Sequence, residues 1–94
     1  GPKLINYIVS PNGDGVNETL RISGIEFFDR HELIIFNRWG APVYKSTNYK
    51  NDWIGQISEL DITGSEMLME GTYFYTLDLG IDVEFVRGFI EIRK

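Results

Sequence analysis

Residues 10–18, Ser-Pro-Asn-Gly-Asp-Gly-Val-Asn-Glu, gather side-chain oxygens around two glycines, a pattern by which a chain can wrap a hard cation. In the D-x-[DN]-x-[DN]-G register of calcium loops, Ser10, Asn12 and Asp14 take the first three ligand positions, Gly15 the turn, and Glu18 follows three residues on. The match is incomplete. Ser10 stands where a carboxylate is usual, and the closing bidentate Glu would fall on Arg21, so Asp14 and Glu18 alone bring charge. Asn12, Asp14 and Glu18 are therefore the candidate ligands of a weak calcium site. The same residues also spell a tight turn, with Asn12 and Asp14 accepting backbone N–H groups and Gly13 and Gly15 at positive φ.

Catalysis has less to work with. His31, the single histidine, sits between Arg30 and Glu32 with no Ser or Cys in a nucleophile context, so a solvated or rim position is expected for it. Asp52 and Asp61 could be imagined as a glycosidase pair, but such pairs arise by chance in a chain with many acids. Without cysteine there is no disulfide, no thiolate nucleophile and no sulfur-ligated zinc. The expectation is a non-enzyme with no cofactor beyond weak calcium. Trp39, Tyr44, Tyr49 and Trp53 lie close together in sequence, where aromatic rings could stack on sugars or else cover hydrophobic edges of a β-sandwich.

These residues must be held by a small scaffold. At 94 residues the chain is long enough for one core and one domain, and its 43% hydrophobic content can fill that core. Nine Lys and Arg against fourteen Asp and Glu give a formal charge of −5, which disfavours nucleic acid as a partner. No apolar stretch approaches the ~20 residues needed to span a bilayer as a helix. Gly1 and Pro2 read as a tag-cleavage scar, leaving residues 3–94 as one domain cut from a longer chain, with a natural C-terminus and any export signal upstream of Lys3.

The dominant period is two. Strands are expected over residues 3–9 (KLINYIV), 18–23 (ETLRIS), 31–38 (HELIIFNR), 41–46 (APVYKS), 72–80 (TYFYTLDLG) and 81–94 (IDVEFVRGFIEIRK). Residues 31–38 carry apolar side chains on both faces and read as a central strand covered on each side. Residues 41–46 follow closely enough for a hairpin. In 72–80, Tyr73, Tyr75, Leu77 and Leu79 share one face, opposite Phe74, Thr76 and Asp78. Gly88 marks a bulge or a close backbone approach. Residues 47–71 are less regular, with one short strand near Ile57 and one helical turn in residues 65–71 that Gly71 would cap. The fold class is all-β, an Ig-like antiparallel β-sandwich of about seven strands.

The order of these segments is more specific than any one of them. SPNGDGVNE, GIEFF, LIIFNRWGAPVY, NDWIG, GTYFYTLDLG and RGFIEIRK together resemble the gliding-motility-associated C-terminal domain, the type B sorting domain of type IX secretion in Bacteroidetes, over roughly residues 9–94. Departures from the family pattern are Glu18 in place of the usual Asp after Gly-Val-Asn, Ile54 in place of the Asp of Trp-Asp-Gly, and SEMLMEG where a short LPxG run is common. The resemblance implies a non-catalytic signal domain that directs a large exported protein through the type IX system to the cell surface or medium. It implies as partners the outer-membrane translocon and a protein of the PorP/SprF kind.

A folded address must be read on its surface. The expected recognition residues are the turn Asn37, Arg38, Trp39 and Gly40 with Gly88, Phe89, Arg93 and Lys94 of the last strand, whose Arg-Lys end is the one basic cluster. An unpaired strand edge open to β-augmentation is a further expectation. The alternative from another class is a calcium-dependent adhesive or carbohydrate-binding module. A plain structural spacer is the third option.

Overall fold

The computed structural model describes residues 3–57, 67–80 and 85–93. Among these residues the strands are β1 (Lys3–Leu4), β2 (Ile8–Val9), β3 (Ile22–Ser23), β4 (Glu32–Phe36), β5 (Pro42–Ser46), β6 (Gly71–Asp78) and β7 (Phe85–Ile92). They form a five-stranded sheet in the order β2-β7-β6-β4-β5 and a two-stranded sheet of β1 and β3. The fold is the expected all-β architecture. Within it β2 and β7 run parallel, while the other named pairs are antiparallel.

The alternation of residues 72–80 sets the core. Tyr73, Tyr75, Leu77 and Leu79 are buried, as are Leu33 and Ile35 beside them and Ile90 and Ile92 on β7. Residues outside the large sheet close this face: Leu20, Ile22, Ile25, Tyr49 and the fully buried Trp53. Trp53 anchors its segment through its backbone carbonyl, which accepts from Leu20 N at 2.9 Å, and through Nε1, which donates to Gln56 O at 2.9 Å.

Four local expectations are corrected. Residues 3–9 are not one strand. Asn6 breaks the run by donating through Nδ2 to the carbonyls of Ile8 and Thr19, while its Oδ1 accepts from Arg21 N. These bonds replace ladder bonds and let the chain pass from one sheet to the other. Residues 18–23 contribute only Ile22–Ser23 as strand, because Glu18 belongs to the preceding loop and Leu20 pairs with Trp53. β4 is flanked by β5 and β6, but only its Leu33 and Ile35 face is buried; Ile34 and Phe36 remain half-exposed. Residues 67–70 are not helical: Met67 bridges Gln56, and Gly71 opens β6 instead of capping a helix. Residues 58–66, with Asp61, and residues 81–84 lie outside the described part, as does Lys94.

Candidate functional site

Asn37 builds the turn after β4. Its Oδ1 accepts from Trp39 N and Ala41 N, both at 3.0 Å, and its carbonyl accepts from Gly40 N at 2.9 Å. With one side chain closing the turn, the next two are left to project outward. Trp39 is 78% exposed, and the Arg38 guanidinium lies over its ring at 4.6 Å from the centroid, a cation–π contact. A groove of about 450 Å³ separates this turn from the start of β6, lined by Arg38, Trp39, Met69 and Thr72 among others. At its base the Tyr73 hydroxyl donates to Met69 O at 2.9 Å. Burial pushes the Tyr73 phenol above its usual range, with Arg38 opposing the shift.

The last strand reaches the same end of the sheet. Phe36, Phe74 and Phe89 stand opposite one another across β4, β6 and β7. Tyr7 meets Phe89 edge-on, with centroids 5.4 Å apart and planes at 64°. All four are on or beside the face of the large sheet turned away from the core, and Phe74 and Phe89 are about half exposed. Beyond them Arg93 is exposed, with Nε 3.8 Å from Glu91 Oε2, and Glu91 also accepts from Thr72 Oγ1. The turn and the outward side of β7 thus form one surface bridged by β6.

Gly88, unlike the rest of the expected recognition set, has no side chain to present on that face. It faces inward, where a Cβ would lie 2.9 Å from Tyr75 Cε1, so its missing side chain makes room for that ring. No bulge accompanies it, since the β6–β7 register runs without a break from Asp78↔Phe85 to Gly71↔Ile92. The aromatic side chains of this outward face that sequence reasoning did not single out are Phe36, Phe74 and Tyr7. Their signal was present as aromatic side chains out of phase with the buried alternation, which marks a face with no core to cover.

The loop of residues 10–18 spends its oxygens on its own backbone. Glu18 accepts from Asn12 N and Gly13 N, Asn12 Oδ1 from Asp14 N, and Asp14 Oδ1 from Val16 N at 2.8 Å. These are the bonds of an Asx turn, with Gly13 and Gly15 at positive φ. An ion at Asn12, Asp14 and Glu18 would have to take these acceptors from N–H donors. Among the described residues no group of three or more His, Cys, Asp or Glu side chains is placed to hold a metal.

His31 is not at the rim but buried. Its Nδ1 pairs with Phe28 O at 2.7 Å, and its Nε2 accepts from Tyr49 N at 2.8 Å, so both ring nitrogens serve the backbone. Of the four clustered aromatics, Tyr44, Tyr49 and Trp53 are buried and only Trp39 is exposed, which removes the sugar-stacking platform. Burial also pushes the Tyr49 phenol up, against the N–H that Trp53 donates to it. Among the described residues no helix is long and apolar enough to cross a membrane.

No curated protein and no solved structure matches the chain. A family model does, that of the CHU_C type IX secretion signal domain, over residues 3–92. That match spans both sheets, the Asn37–Gly40 turn and the outward side of β7 up to Ile92. The chain belongs to the type IX secretion signal domain family, and its role is that of a sorting signal.

Proposed function

We propose that this domain is the folded address of a larger exported protein, recognised at the outer membrane by the type IX translocon and a partner of the PorP/SprF kind, and that it delivers its cargo to the cell surface or medium. The supporting observation is the convergence of the exposed Arg38–Trp39 turn, the outward Phe89 of β7 and Arg93 just beyond that strand on one end of one sheet. Exposed aromatic and arginine side chains are the residue types that most often carry binding energy at protein interfaces. The domain supplies recognition and leaves any activity to the cargo.

The test is export of a signal-peptide–reporter fusion ending in residues 3–94. Trp39→Ala combined with Arg93→Glu should cut export at least tenfold, because truncating an interface anchor typically costs about 2 kcal/mol or more. Both side chains are exposed, so the melting temperature should stay within a few degrees of wild type. Undiminished export of the folded double variant refutes this assignment of the surface.

A further inference from the structure

β7 is paired along its whole length on one side and over only two residues on the other. β6 covers it from Phe85 to Ile92, whereas β2 pairs with Glu91 and Ile92 alone. Glu91 N donates to Tyr7 O at 2.7 Å and Arg93 N to Val9 O at 2.9 Å, which fixes the side to which alternate residues point. By that alternation Phe85, Arg87 and Phe89 direct their N–H and C=O groups to the same edge. Among the described residues nothing accepts or donates to them there. The chain that would have covered this stretch turns away instead: Ile5 N donates to Arg21 O at 2.8 Å, and Lys3–Leu4 join β3.

The opposite edge of the sheet carries a proline and an irregular register, which this one lacks. β5 opens on Pro42, carries Lys45 paired with Glu32 at 3.2 Å, and is irregular in register between Ile35 and Phe36 of β4. Proline, charge and bulges are the devices that discourage strand addition. The open part of β7 has neither proline nor bulge, and its outward side chains are Phe85, Arg87 and Phe89. Arg87 is exposed, makes no ion pair among the described residues, and faces Thr76 across β6. An arginine without a carboxylate partner among the described residues, set between two phenylalanines, is complemented by a strand with an acid flanked by apolar residues two positions away on each side.

Resting on the sorting role, we propose that the edge of β7 at residues 85–89 takes up an extended segment of the partner protein as an added strand, with a carboxylate of that segment against Arg87. A second copy of this chain is a poorer occupant. Two such edges paired antiparallel over all three residues would place the two Arg87 side chains directly opposite one another, and like charges so placed repel.

The test is Arg87→Pro in the export fusion. The lost N–H points away from β6, so the internal ladder stays intact while an added strand loses a bond and meets the ring. Melting should remain within a few degrees of wild type, and export should fall at least tenfold. Arg87→Glu should fall similarly and Arg87→Lys should export as wild type. If Arg87→Pro does not fold, the Glu and Lys variants at matched melting temperature decide the question. Wild-type-level export of folded Arg87→Pro, or of Arg87→Glu, overturns the proposal while leaving the sorting role standing. A dimer of the purified domain that Arg87→Pro abolishes also overturns it, in favour of a second copy. A wild-type fusion that is not exported overturns the sorting role itself.

Discussion

Gly88→Ala tests how tightly the large sheet is packed. A Cβ at this position would sit 2.9 Å from Tyr75 Cε1, 3.1 Å from its hydroxyl and 3.2 Å from Cζ, all inside ordinary van der Waals separation. Tyr75 is the direct cross-strand partner of Gly88, and on its other side it faces the fully buried Ile35, so the ring has little room to retreat. Overpacking of this kind costs about 1–3 kcal/mol. The added methyl also restricts the unfolded chain, which returns roughly 0.4–1 kcal/mol. The net loss is about 1–2 kcal/mol, or a fall in Tm of roughly 5–15 °C for a domain of this size. Thermal unfolding by circular dichroism, supported by urea titration, measures it directly. Shortening the ring in Tyr75→Leu should relieve most of the clash, giving a double-mutant coupling of at least ~0.5 kcal/mol. A Gly88→Ala protein that melts at or above wild type would refute the packing argument.

Other expected outcomes concern the loops and the buried polar groups. His31→Ala strands the Tyr49 N–H and frees Phe28 O, and should cost about 2–3 kcal/mol in urea unfolding; a loss under ~0.5 kcal/mol would deny the histidine its structural role. Glu18→Ala releases two N–H groups that lie near water, so its cost should stay near ~1 kcal/mol. Since those oxygens are already bonded, millimolar calcium should leave the melting temperature unchanged, whereas a rise of several degrees would show an ion displacing them. Burial raises the Tyr49 phenol above the unfolded value of about 10, so its neutral form favours the folded state. Stability should be full below about pH 10 and fall above it by about 1.4 kcal/mol per pH unit for that group. Absorbance titration of tyrosinate together with circular dichroism should show Tyr49 ionising only as the fold is lost.

The strands with a one-sided alternation were legible in the sequence. Tyr73, Tyr75, Leu77 and Leu79 declare a core face by period alone, and the Leu33 and Ile35 pair adds to it. Side chains that replace ladder bonds were not legible, because their effect depends on partners distant in sequence. Asn6 bonds Thr19 and Arg21, Asn51 Oδ1 accepts from Ile22 N, and His31 accepts from Tyr49 N. None of these contacts has a periodic signature. Gly88 announced a close approach, but the strand pattern could not say that Tyr75 was the approaching group. The parallel β2–β7 pair was equally hidden, since a two-residue strand carries too little pattern to name its neighbour.

The proposed recognition surface was partly visible. The Asn37–Gly40 turn and the last strand could be named from sequence, but their meeting at one end of a sheet depends on β6 lying next to both β4 and β7. Phe74, which bridges them, looked like the lesser face of a well-patterned strand.

Machinery-dependent export tests the central claim most directly. Residues 3–94 are fused behind a signal peptide and a fluorescent reporter and expressed in a type IX-competent host with and without a working translocon, a matched PorP/SprF-like protein being present in both. Reporter outside the cell only when the translocon works is the predicted result. Reporter held in the periplasm of the competent host, with the domain folded, would contradict it.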